Sequence, residues 1–173
     1  MNMTKNDLLV TEYAPYYEAY IQKTEGLSAK SGLIENSERI LSFLNSIPVE
    51  KQNFRYADGK WSIKEVIQHI IDTERVFSYR ALCISRDDKT PMPNYDQDRY
   101  VENSQVEQRT IEELIKEYQS VRLSTISLFD SFDDKAMLRT GIAAGNNISV
   151  RAIIFILMGH EIHHCEILKA RYL

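Results

Sequence analysis

Apolar residues recur every three or four positions along most of this chain, and no segment sustains the two-residue alternation of a half-buried strand. That periodicity predicts an all-α fold. Glycine and proline are few and fall between the periodic segments, which divide into four long helices arranged as an antiparallel four-helix bundle. The first spans about 31–46, with Leu33, Ile34, Ile40, Leu41 and Leu44 at core spacing, and stops before Pro48. The second, about 62–85, has the clearest start signal. Ser62 and Glu65 stand at capping-box spacing, with Trp61 and Val66 placed as a hydrophobic staple. The third, about 110–130, opens on another capping box, Thr110 with Glu113. The fourth takes Ser149 as its N-cap and runs to about 170. Its first half, Ile153 to Met158, is apolar on every side, as expected of a helix surrounded by protein. A shorter turn around 15–21 precedes all four.

Two connections are long. The one after the second helix, 86–103, carries Pro91, Pro93, Asn94, Tyr95 and the aspartates Asp87, Asp88, Asp96 and Asp98. Such a loop in a compact domain is functional or mobile. The one after the third, 132–147, contains Gly141 and Gly145 and room for one helical turn. No repeat or linker interrupts the pattern, so residues 1–173 read as one domain.

Composition narrows the function more than the fold. Hydrophobic residues at 43% and charged residues at 27% exclude a disordered chain. With 21 Lys+Arg against 25 Asp+Glu, the net charge of -4 argues against nucleic acid as a partner. Two cysteines make no disulfide framework, which suits a reducing compartment. The start of the chain lacks the basic-then-apolar run of a signal peptide, and the longest apolar stretch, Ala152 to Gly159, falls far short of the ~20 residues of a membrane span. A cytoplasmic protein with no membrane partner is the expectation.

Four histidines carry the candidate chemistry: His69, His160, His163 and His164. His160 and His164, four residues apart, lie about 40° apart on one face of the fourth helix. Ile153, Ile156, Leu157 and Ile167 share that face. Buried imidazoles need partners, and a pair at this spacing is a common metal chelate. His69, at the edge of the second helix's apolar stripe beside Val66 and Thr73, can turn toward a neighbouring helix and supply a third nitrogen. His163 stands three residues from His160, so periodicity leaves both 160/163 and 160/164 open as the chelating pair. His160 to His164 also matches the H-E-x-x-H zinc-protease motif with Glu161 as base. The chain offers no downstream third ligand, and Ile167 occupies the glycine position of the extended motif, which disfavours a protease.

Two stretches in particular resemble the DinB/YfiT-like superfamily of metal-binding four-helix bundles. One is Trp61-Ser62-Ile63-Lys64-Glu65-Val66-Ile67-Gln68-His69-Ile70-Ile71-Asp72-Thr73-Glu74-Arg75; the other runs from Ser149-Val150-Arg151-Ala152 to Gly159-His160-Glu161-Ile162-His163-His164. The segment Pro93-Asn94-Tyr95-Asp96-Gln97-Asp98 is similar to the loop after helix two in that family, and the likeness covers about residues 30–173. The resemblance implies a divalent metal on His69, His160 and His164, with positions left for water or substrate; the extra His163 departs from the family's pattern and reads by default as a residue at the rim. The resemblance also implies a homodimer and an activity among thiol-dependent S-transferases, isomerases or hydrolases.

The expected function is therefore metal-dependent chemistry on a small-molecule substrate, through an activated low-molecular-weight thiol or water, with zinc or nickel as the cofactor. The alternative is a non-catalytic binding or stress-response module with a structural metal. Candidate catalytic side chains are Glu161, Tyr95 and Asp96, although Glu161 points about 100° away from His160 on the wheel. Cys83 and Cys165 read as packing residues, Glu74 and Arg80 as ion-pair or surface residues, and Arg151 as the partner of an acid or a cap. Tyr13, Tyr16, Tyr17 and Tyr20 are placed to cover one end of the bundle.

Overall fold

Three of the four long helices begin where a side chain satisfies an amide that helix geometry leaves open. A computed structural model describes residues 3–173; residues 1 and 2, the start of the segment read for a leader, lie outside it. Short 3-10 turns lead into α1 (Glu18–Ile21), followed by α2 (Ala29–Asn45) and α3 (Ile63–Ser85). The Ser62 amide donates to Glu65 Oε2 at 2.6 Å and the Glu65 amide to Ser62 Oγ at 3.3 Å, closing the capping box. After α4 (Gln97–Glu102) comes α5 (Ile111–Asp130), capped in the same way by Thr110 and Glu113 at 3.2 and 2.9 Å. The chain continues through α6 (Asp134–Met137), β1 (Thr140–Ala143) and β2 (Asn146–Ser149) into α7 (Val150–Arg171), where the Ala152 amide donates to Ser149 Oγ at 3.0 Å.

The main helix contacts run α2–α7, α7–α3, α3–α5 and α5–α2, a closed ring. Successive helices α2 and α3 therefore face each other across the bundle, which the long connection between them permits. The four helices are those the periodicity predicts. The connection after α5 differs from the all-α expectation: besides its helical turn it forms a two-stranded antiparallel hairpin, Thr140 opposite Ser149 and Ala143 opposite Asn146. Its turn residues Ala144 and Gly145 both have positive φ, 51° and 77°. Four-residue strands are too short to show alternation, and an alanine in the left-handed region conceals the turn.

Burial divides into two apolar layers. One gathers Phe77, Ala81, Phe129 and Ile153–Met158 residues; the other gathers Ile40, Ile67, Leu114 and Leu168. Between them lies a polar belt: Asn36 and Ser37 on α2, Glu74 on α3, Arg122 and Thr125 on α5, His160 and Glu161 on α7. Ile34, expected in the core, is instead 44% exposed, because α2 turns Asn36 and Ser37 inward toward this belt. No helix among the described residues is long and apolar enough to cross a membrane.

A candidate metal centre beside an aromatic cleft

His69 on α3 and His160 on α7 are 91 residues apart in sequence, yet their Nε2 atoms stand 3.0 Å apart. His164 Nε2 approaches His160 Nε2 to 3.1 Å, and the three nitrogens all lie within 4.8 Å of one another. Three neutral imidazoles can place at most one hydrogen in each such contact. A convergent donor set of this kind suits a cation: tetrahedral zinc with Zn–N of about 2.05 Å spaces its nitrogens by about 3.3 Å. The donor chemistry thus fits a divalent metal, with coordination positions left for a small ligand. His163 is half-buried outside the trio, with its ring 5.2 Å from those of His164 and Tyr20.

Aromatic rings shield the site. Trp61 lies over His69 at 4.8 Å between centroids, and Tyr20 meets His160 edge-on at 5.4 Å. Gly159 makes the second contact possible, since a Cβ there would stand 1.9 Å from the Tyr20 carbonyl oxygen. Burial disfavours the charged imidazole, bringing His69 down to about 4 and His164 to about 3, with His160 well below its ordinary value. The rings are held neutral, the form that binds metal.

That depression has a measurable consequence for the metal-free protein. Unfolded histidines take up protons near pH 6.5, whereas these folded ones do not, so the unfolded state binds more protons and stability falls as the pH falls. The loss begins near 6.5 and, for His69, continues to about 4. Each ring contributes up to about 1.4 kcal/mol per pH unit within its window. Asp72 and Glu161, raised by burial, act in the opposite sense but are fewer. The urea midpoint of chelator-treated protein should drop between pH 7 and 5.5; a constant or rising midpoint would contradict the burial of these rings.

His160 opens onto a cleft of about 760 Å³ whose walls include Tyr16, Tyr17, Tyr20, Thr73, Tyr95 and Asp96. The three N-terminal tyrosines thus line the cleft, while Tyr13 is buried with its hydroxyl 2.6 Å from Glu18. The Tyr95 and Thr73 hydroxyls are 2.7 Å apart, and Asp96 caps α4 by accepting the Arg99 amide at 3.1 Å. Tyr95 and Asp96 therefore share the cleft with His160.

Glu161 is directed elsewhere. Its carboxylate accepts from Arg122 Nη1 and Nη2 at 2.8 and 2.7 Å, from Tyr118 at 2.8 Å and from Asn36 at 2.5 Å. Arg122 also donates twice to Glu74, at 2.8 Å each. Glu74 is thus an ion-pair residue of the interior. Arg122 itself escapes a reading by apolar periodicity because it is charged, although it falls in register with Leu114, Tyr118, Thr125 and Phe129 on α5. Arg151 pairs with Glu12, which also accepts from Ser149 at 2.7 Å and so ties the N-terminal segment to the start of α7. Cys165 is buried, and burial raises its thiol far above the ordinary range.

Comparison with known proteins places this geometry in context. The family model described as the DinB superfamily matches residues 33–168. A protein of Oceanobacillus iheyensis named as a putative metal-dependent hydrolase is 24% identical over 135 residues, 77% of each chain. Among solved structures, YfiT from Bacillus subtilis, described as a probable metal-dependent hydrolase with an unusual four-helix bundle topology, is similar at a TM-score of 0.71 and 17% identity. That likeness covers 92% of this chain and 94% of YfiT. A mycothiol-dependent maleylpyruvate isomerase is similar at a TM-score of 0.68 and 10% identity; 95% of this chain matches 62% of that one. At these identities the two structures speak for the fold.

Proposed function

The chain belongs to the DinB superfamily, and on that premise we propose that it is a metal-dependent enzyme acting on a small molecule, with His69, His160 and His164 holding one divalent cation. The observation that carries this reading is the convergence of three Nε2 atoms, of buried His69 and His160 and half-buried His164, with His160 on the wall of an open cleft. A structural metal alone has no need of the cleft.

Zinc or nickel suits the all-nitrogen donor set. Bound there, the cation supplies Lewis acidity, which favours the deprotonated, nucleophilic form of a water or a low-molecular-weight thiol near neutral pH. Both nucleophiles belong to the reading, water by analogy with the hydrolase names and a thiol by analogy with the mycothiol-dependent neighbour. Trp61 and Tyr20 restrict water around the rings. Tyr95 and Thr73, hydrogen-bonded to each other, offer hydroxyls that orient a substrate, and Asp96 borders the same space. Glu161 has a structural role in this reading, because its oxygens are engaged by Arg122, Tyr118 and Asn36.

The test is removal and return of the metal. Chelated protein should stay helical by circular dichroism and lose turnover in a screen of esters, amides and thiol–electrophile pairs, with turnover restored by zinc or nickel. Melting on chelation, with no turnover in the loaded protein, would establish the structural-metal alternative instead.

A further inference from the structure

The cleft beside the metal centre is walled by a continuous series of aromatic rings. Edge-to-face contacts run from Phe77 on α3 to Tyr17 at 5.8 Å between centroids, and from Tyr17 to Tyr16 at 5.3 Å. They continue from Tyr16 to Tyr20 at 5.7 Å and from Tyr20 to His160 at 5.4 Å. Successive planes are inclined by 76° to 88°. Every one of these side chains lines the cleft. Tyr16 is 68% exposed, so core packing does not account for its place, yet its hydroxyl stands 3.0 Å from that of Tyr20.

The segment that supplies the three tyrosines is fixed in place. Ser149 Oγ donates to Glu12 at 2.7 Å, the Asn147 side chain donates to the Thr11 carbonyl at 2.7 Å, and Lys23 pairs with Glu166 at 2.5 Å. The rings therefore need little ordering when a ligand arrives. Phenols are uncharged at neutral pH, and burial raises those of Tyr17, Tyr20 and Tyr95 further. Among the described residues no lysine or arginine lines the cleft, and Asp96 is the one carboxylate that does. Arg80, read from the sequence as an ion-pair or surface residue, is buried instead. It donates to the Pro93 carbonyl at 2.8 Å, lies 4.9 Å from the Phe77 centroid and is not part of the lining. An anion thus meets no cationic side chain on this wall, whereas another aromatic ring meets both faces and edges.

We infer that the small molecule taken by the cleft carries an aromatic ring, and that Tyr16 and Tyr17 are the residues that select it. The inference deepens the metal-enzyme reading, on which it rests for the position of the reacting end, at the three histidines. Aromatic rings attract one another in offset-stacked and edge-to-face arrangements, beyond what burial of area supplies. A wall whose rings alternate near right angles offers both surfaces. A saturated ring of equal carbon number buries at least as much apolar area but has no π-system to pair with them. The cleft volume of about 760 Å³ is that of a small-molecule site.

The probes are ω-phenylalkanehydroxamic acids and their ω-cyclohexyl counterparts, with linkers of one to four carbons, titrated calorimetrically into the zinc-loaded full chain. The hydroxamate is the metal-binding end common to both series. At one or more lengths the phenyl compound should bind about two- to tenfold more tightly than the cyclohexyl one, the range of an aromatic pair. Burial of apolar area alone gives parity or the opposite preference. Tyr16→Phe should keep the preference, Tyr16→Leu should lower it, and Tyr16→Leu with Tyr17→Leu should abolish it, with thermal midpoints showing the variants folded. Equal or weaker binding of the phenyl compound at every length overturns the proposal, as does a preference that survives in the double variant. If the double variant does not fold, a preference undiminished in Tyr16→Leu overturns it. Zinc content of the same samples reads the metal separately. Stoichiometric zinc without a phenyl preference sinks this proposal alone, and failure to take up zinc sinks the metal reading whatever the ratio.

Discussion

Replacing His160 by alanine should empty the site of metal and end turnover, while His163→Ala keeps both. His160 is the central ring, with Nε2 3.0 Å from that of His69 and 3.1 Å from that of His164. Without it, two donors remain on separate helices and no pair on one helix remains among the trio. Losing an outer-shell partner of a metal ligand costs roughly 10–100-fold in affinity; losing the central ligand should exceed that. His163 lies outside the convergent set, and its removal takes away only two edge contacts between rings, with Tyr20 and with His164. Elemental analysis of the two variants, each checked for helicity, decides the matter. Equal metal loss in both would show that the chelating pair is not 160/164.

The second large effect concerns stability. Arg122 is 2% exposed and stands between Glu74 and Glu161, which are 2% and 1% exposed. The cluster carries one positive and two negative formal charges, with the hydroxyl of Tyr118 and the amide of Asn36 completing the bonds to Glu161. Burial raises the Glu161 carboxyl, and Arg122 opposes that rise. Arg122→Met leaves two carboxylates facing each other in the interior and should cost about 3–5 kcal/mol. For a chain of this size that corresponds to a Tm lower by roughly 6–20 °C. Adding Glu74→Gln and Glu161→Gln to the same protein should recover most of the loss, because the penalty belongs to the stranded charges rather than to the missing bonds. Calorimetry of the single and triple variants tests this. A single variant within about 1 kcal/mol of wild type would mean that the carboxylates find other partners.

The cluster also explains why the H-E-x-x-H spelling misleads. In that motif the glutamate serves the metal as base. Here consecutive residues of α7 divide: His160 belongs to the trio, and Glu161, about 100° further around the helix, faces α2 and α5. Both lie in the one polar belt between two apolar layers. The belt holds Glu74, Arg122 and Glu161 together with His160.

What the sequence by itself determined is local in origin. Capping boxes at Ser62 and Thr110, the cap at Ser149 and apolar spacing set where α3, α5 and α7 begin and which faces they bury, because those signals act among residues within one turn. The same reasoning made His69 and the His160/His164 pair candidates, by placing imidazoles on apolar faces of two different helices. The tertiary structure decided everything that depends on which faces meet. It brought nitrogens 91 residues apart to 3.0 Å, separated His163 from the trio, and joined Asn36 to Glu161 across 125 residues. It also closed the helices into a ring with α2 opposite α3, and turned 140–149 into a hairpin. Periodicity reports how a helix divides inside from outside; which partner waits on the inside is settled only when the helices pack, since polar groups there must find one another once water is gone.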